Sequence, residues 1–198
     1  VSGLPARAAA LRRFWFGGEK GAGFRPLWFR RNCAFDAELR ARFAADWALA
    51  SDGGAADWGD TPEGAVALVL LLDQFPRNLC RGRAEAFASD TLARRLAADA
   101  IARAFDLALP PVERMFLYLP FEHSEDPGDQ ARSVALFEAM AERPPDFPRA
   151  LRDSIVFFAR RHQEIVVRFG RFPHRNAALG RVTTPAEAAF LTEAHSSF

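Results

Sequence analysis

Cysteine is nearly absent: the 198-residue chain has two, Cys33 and Cys80, far apart and without C-x-x-C or zinc spacing. That excludes a disulfide framework, and the pair reads as two buried thiols of a reducing compartment, with a bacterial-type cytoplasm as the default location. Long hydrophobic runs are also missing. The longest clean stretch, Ala65 to Leu72, falls far short of the ~20 residues of a membrane span. Val1 to Arg13 carries arginines but no apolar signal-peptide core, so neither membrane association nor export is expected. No sign of charge dominates, since 26 basic residues face 25 acidic ones for a net charge of +1. This is the wrong profile for a protein that lives on phosphate backbones, and nucleic acid is not an expected partner. Tyrosine occurs once, and the Val-Thr-Tyr alternation of strands is scarce.

What is present is core material with helical rhythm. Hydrophobic residues make up 49% of the chain and phenylalanine alone contributes 19, enough for one domain over residues 1–198 with a packed interior. Ala-, Leu- and Arg-rich segments punctuated by Pro and Gly predict an all-α fold of about eight helices. These run over about Pro5–Phe14, Phe35–Ala50, a helix begun by Thr61-Pro62-Glu63 and stopped by Pro76, Ser89 or Asp90 to Phe105, Pro111 to Pro120, Asp129–Ala141, Leu151–Phe169, and a short one opened by the capping box Thr184-Pro185-Ala186-Glu187. Gly17 to Gly23 reads as a loop, and Pro144-Pro145 with Pro148 as a break. No ~34-residue repeat carries a tetratricopeptide consensus.

Two short stretches are near copies. Asp73-Gln74-Phe75-Pro76-Arg77-Asn78 and Gly170-Arg171-Phe172-Pro173-His174-Arg175-Asn176 each follow an apolar helical run and offer Arg and Asn beside Phe-Pro. Asp73 closes an all-apolar run at a helix C-terminus, where the macrodipole disfavours an anion, so it needs a cation from Arg77, Arg171 or Arg175. This pairing reads either as a structural lock or as a ligand-facing carboxylate. On the long helix, His162 sits inside the stripe Leu151, Ile155, Phe158, Ile165, Phe169, as a satisfied core histidine or as part of a site leading to Arg171, His174 and Arg175. Glu164 and Arg168, four apart, read as a surface pair.

Past Pro120, the segment Glu122-His123-Ser124-Glu125-Asp126 sets a histidine among carboxylates, a general acid/base pattern. No metal or cofactor is expected, because H-E-x-x-H, zinc spacing and a G-K-[ST] phosphate loop are all absent, and without G-x-S-x-G Ser124 is a weak nucleophile candidate. Arg168, Arg171, Arg175 and Arg181 would form a cationic lip in a compact turn, or else cap helices and pair with carboxylates.

Trp28-Phe29, Leu72 to Asn78, Arg81-Gly82, Phe87 with Asp90, Leu119-Pro120 with Glu122 to Glu125, Gln130, and Arg168 to Asn176 together resemble the uncharacterised, mainly bacterial domain-of-unknown-function family numbered nine hundred twenty-four. The resemblance spans about Leu11 to Phe198 and implies an all-helical, tetratricopeptide-like fold without an agreed activity. The residues then suggest a pocket for a small anionic molecule or acidic peptide end, formed where the two Phe-Pro bends converge. Its ligand-binding residues would be Asp73, Arg77, Asn78, Glu122, His162, Arg171, Arg175 and Asn176. Two alternatives stand beside it: a hydrolase or group-transfer enzyme with His123 or His174 as acid/base and Glu125 in support, and a tetratricopeptide-like scaffold without a compact site. The oligomeric state is not legible from these residues.

Overall fold

The computed structural model describes residues 5–18, 24–142 and 148–198, and among them the regular structure is entirely helical. The Gly17–Gly23 loop falls largely outside the described residues, and Pro144-Pro145 wholly so. The chain divides into two compact units, Val1–Arg81 with Glu85–Pro120, and Gly82–Ala84 with Phe121–Phe198.

The first unit holds α1 (Ala6–Phe16), α2 (Cys33–Ser51), α3 (Pro62–Val69), α4 (Phe75–Leu79), α5 (Asp90–Ala102), α6 (Phe105–Ala108) and most of α7 (Pro111–Glu122). Helix α3 starts as its cap signal demands: Thr61 Oγ1 accepts the Gly64 N–H at 3.1 Å and Pro62 takes the first turn. Residue 64 must be glycine, because a Cβ there would meet the Trp58 carbonyl oxygen at 2.0 Å. From Gly64 to Pro76 the helix is buried without interruption, which is why its sequence is apolar on every side.

Pro76 does not stop this helix. A π-helical turn over Leu70–Gln74 connects α3 to α4, with the Phe75 N–H donating to the Leu70 carbonyl. Proline has no N–H for the carbonyl four residues back, that of Leu72. The Ser89 hydroxyl takes its place, donating to Leu72 O at 2.5 Å. The expected break is thus absorbed by a wider turn and a donor from another element. Helix α7 likewise continues past Pro120 to Glu122.

Other boundaries shift for local reasons. Asn32 caps α2 through Phe35 N–H at 3.0 Å, two residues ahead of the expected start. Ala104 adopts φ 55° and ends α5 ahead of the expected Phe105, and the short α6 follows where no helix was expected. Cys80 is buried, but Cys33, expected buried, is exposed because it opens α2 on the solvent side.

The second unit is built on α8 (Pro127–Glu142) and α9 (Arg149–Phe169), packed side by side, and closed by α10 (Pro185–Phe190). Along α9 the expected stripe faces inward: Ile155, His162 and Ile165 are buried, and Leu151, Phe158 and Phe169 half-buried. Gly170 ends the helix at φ 69°, a left-handed position that favours glycine. This turns the chain so that Phe172 seats on Ile165, Val166 and Phe190. Burying such a ring contributes about 1.5–3 kcal/mol. Thr184 and Glu187 form the predicted capping box of α10. In all, α1 to α10 are ten α segments in nine rods among the described residues, close to the eight expected, since α3 and α4 are continuous.

The Pro76–Ser89 compensation is testable in a double-mutant cycle read by urea denaturation. Ser89→Ala should cost about 1–3 kcal/mol by orphaning the buried Leu72 carbonyl. In a Pro76→Ala background, which restores an N–H at residue 76, the same change should cost measurably less. Additive costs would contradict the compensation.

Candidate functional site

The first Phe-Pro bend organises charge inside the first unit. Asp73 lies in the π turn, within a continuous helix and not at a helix end, and is completely buried. It receives Gln74 Nε2 at 2.7 Å and Arg77 Nη1 at 3.2 Å. Arg77 also forms a fork with Asp90, at 2.8 and 2.9 Å, and donates to the Asp73 carbonyl at 2.9 Å. Asp90 opens α5, where an anion suits the helix N-terminus. Burial alone would lower the Arg77 pKa, but the charges of Asp73 and Asp90 outweigh it and the net shift is upward. Asn78 is buried beside this group and its carbonyl accepts Arg81 at 2.6 Å. Here Asp73, Arg77 and Asp90 have the geometry of an internal lock.

The second bend lies in a loop. After Gly170, Arg171 forks onto Glu187 at 2.6 and 2.9 Å and donates to Val182 O at 2.8 Å. The Arg171 fork, then the Thr184 N–H, hold the Glu187 carboxyl at about 2 against the opposing effect of burial. Asn176, fully buried, reaches Thr183 Oγ1 at 3.3 Å and also bonds Glu187. Glu125 accepts the Phe172 N–H at 2.8 Å and an Arg181 fork at 2.8 and 3.0 Å. Burial would raise its pKa, but the Arg181 fork, the Phe172 N–H and the charges of Arg181 and Arg175 bring it below the usual carboxylate range. Arg168 faces Glu193 at 3.6 Å and Glu164 faces Arg161 at 3.4 Å, so the expected Glu164–Arg168 pair is replaced by these two. Arg168, Arg171 and Arg181 of the expected lip face the carboxylates of Glu193, Glu187 and Glu125, and Arg175 also lies within electrostatic reach of Glu125.

Around His162 the arrangement differs. Its Nδ1 lies 2.8 Å from the Phe158 carbonyl and 3.3 Å from Glu122 Oε1. Both neighbours are acceptors, so Nδ1 carries the hydrogen and Nε2 is bare in the neutral ring. Burial holds the His162 pKa well below 6.5; the Phe158 carbonyl opposes this, while His123, Arg175 and His174 reinforce it. The Glu122 contact is therefore a polar contact with a neutral ring and not an ion pair. Phe172 is the hub of the group, with His162 at 5.4 Å, His174 at 5.6 Å and the Arg175 guanidinium 4.5 Å above its ring. His123 lies 6.3 Å from His162. His123 and His174 are half-buried, whereas His162, Glu122 and Arg175 are buried.

Two contributors have no role that the sequence alone assigns, although Gln130 is among the residues that carry the family resemblance. Gln130 fixes the end of α7 by donating its side-chain amide to the carbonyls of Glu122 at 2.7 Å and Ser124 at 2.6 Å, which places Glu122 and His123. Phe198 stacks on His162 with ring centroids 3.8 Å apart and planes inclined by 27°. The remaining polar residues of the Glu-His-Ser-Glu segment start a helix: Ser124 donates to Asp129 at 2.7 Å, and Asp126 accepts the N–H groups of Gly128 and Asp129. The acidic cluster is thus in part an N-cap, which Pro127 at the first position signals.

Surface concavities of about 390 Å³, beside Arg152, Phe157 and Arg160, and about 130 Å³, beside Leu68 and Leu96, include none of the expected site residues. Among the described residues, no three His, Cys, Asp or Glu are placed to share a metal ion, and no helix is long and apolar enough to cross a membrane.

His162 makes the fold sensitive to acid in a defined window. Its folded pKa lies below the unfolded value of 6.5, so the unfolded chain takes up the proton first. Stability is complete above pH 6.5 and falls as pH drops toward the folded pKa, by up to about 1.4 kcal/mol per pH unit. Glu187 acts lower, its contribution being complete above 4.5 and lost toward about 2. Melting-temperature profiles should therefore show a decline starting just below pH 6.5, which His162→Asn flattens while leaving the Glu187 window intact. An unchanged profile in that variant would contradict the assignment.

Residues 11–195 match the family described as bacterial protein of unknown function (DUF924). A solved structure of a protein of unknown function from Agrobacterium tumefaciens is 40% identical, with 94% of this chain and 97% of that chain covered and a TM-score of 0.83. No curated protein matches the chain. A family match over nearly the whole length, together with a 40% identical all-but-complete structural neighbour, means that the chain belongs to the DUF924 family.

Proposed function

We propose that the second unit binds a small anionic group where His123, His174 and Arg175 gather around His162. The observation that carries this reading is the gathering of three basic side chains within electrostatic reach of a buried, neutral histidine that one carboxylate, Glu122, contacts. In this role Arg175 and His174 hold the anion, His123 closes its other side, and Glu122 with Phe172 fixes their orientation. The Asp73–Arg77–Asp90 group and Asn78 take no part in it, and Arg171, Asn176 and Glu125 brace the loop that carries His174 and Arg175.

Methanesulfonate is a suitable probe because it stays anionic throughout the neutral range. Titration should shift the imidazole ¹⁵N resonances of His123 and His174. His174→Ala and Arg175→Lys should each weaken binding about tenfold or more, a loss of about 1.4 kcal/mol. An anion that leaves every imidazole resonance unmoved would refute the reading.

A second reading, acid/base catalysis by His123 or His174, is favoured by their partial exposure beside a sealed His162. It predicts a turnover in an ester, amide and phosphate hydrolysis panel that His123→Ala or His174→Ala removes. Wild-type protein inert across that panel would end it.

A further inference from the structure

Phe198 is half-exposed, at 48% of its surface, yet its ring lies flat on His162. The segment leading to it is fastened short of the ring. Arg161 Nε donates to His195 O at 3.0 Å, Ser196 Oγ donates to Leu191 O at 3.1 Å, and the His195 ring packs on Phe157 and Phe158. Beyond Ser196 the ring of Phe198 meets His162 face to face, with Phe158 at 6.2 Å and His174 at 5.8 Å standing nearly perpendicular to it. One flat floor and two upright walls frame the slot that the Phe198 ring occupies. His174 is a wall of that slot and, with Arg175, stands on the same Phe172 ring.

We propose that Phe198 occupies in cis the seat of a planar aromatic ring, and that the anion bound by this unit is carried on an arene: an aromatic carboxylate, sulfonate or phosphate monoester. The proposal rests on the anion-binding reading above and adds the chemistry of the group that bears the charge. The ligand ring stacks on neutral His162 between Phe158 and His174, and its anionic substituent reaches His174 and Arg175. Phe198 must swing out first, so the apparent affinity of the wild-type protein is reduced by the fraction of molecules in which the slot is open.

Three probes separate the parts: benzenesulfonate carries ring and charge, methanesulfonate charge only, and benzyl alcohol ring only. Benzenesulfonate should bind the wild-type chain more tightly than methanesulfonate. Phe198→Ala should tighten it about tenfold while changing methanesulfonate less than about twofold, and the His162 ring protons should move upfield when the slot refills. Phe198→Trp, which plugs the same slot more fully, should weaken benzenesulfonate and provides the comparison without loss of the ring. If benzenesulfonate binds Phe198→Ala no better than methanesulfonate does, the aromatic seat is wrong and anion binding stands. If benzyl alcohol binds but neither sulfonate does, the anion reading fails and the aromatic-acid assignment with it.

Discussion

An ionised side chain taken out of water must meet its counter-charge in the same place, and that requirement governs both units. Leaving one buried charge unpaired costs about 3–5 kcal/mol, a large fraction of a domain's net stability. The chain meets it with arginine forks: Arg12 on Glu113 at 2.6 Å twice, Arg77 on Asp90, Arg171 on Glu187 and Arg181 on Glu125. Planar guanidinium matches planar carboxylate in one orientation only, so each fork fixes direction as well as charge. Loops and helix ends that lack a large apolar face of their own are thereby held in one position.

His162 meets the same requirement differently. It is as buried as the carboxylates but escapes the penalty by staying neutral, and its two acceptor neighbours determine which nitrogen holds the hydrogen. The neutral His162 ring stands within electrostatic reach of His123, His174 and Arg175, and it is this group, and not the forked pairs, that is proposed to receive an anion. Gln130 and Phe172 have no charge to contribute. Their part is to hold the α7 end and the His174–Arg175 turn in register with α9.

The sequence is most legible where the signal is local. The caps at Thr61 and Thr184, the inward stripe of α9 and the all-apolar run into Asp73 appear as expected, because each depends on residues within a turn or two of one another. It is least legible where a distant group decides. The two Phe-Pro bends look alike in letters, but one continues a helix and the other shapes a loop. Ser89 and a π turn rescue the first, while Gly170 breaks the helix before the second. Arginine partners are equally hidden, since Arg171 finds Glu187 16 residues on and Arg181 finds Glu125 56 residues back. Nothing in the local pattern marks Phe198 as the cover of His162.

The protonation state of His162 is the most direct measure of this account. Heteronuclear NMR that correlates the imidazole nitrogens with the ring protons should show a neutral Nδ1–H ring that stays neutral as pH falls through 6.5, with His123 and His174 resolved separately from it. A ring in the Nε2–H form, or one that titrates at or above 6.5, would contradict the buried neutral floor on which the anion site is built.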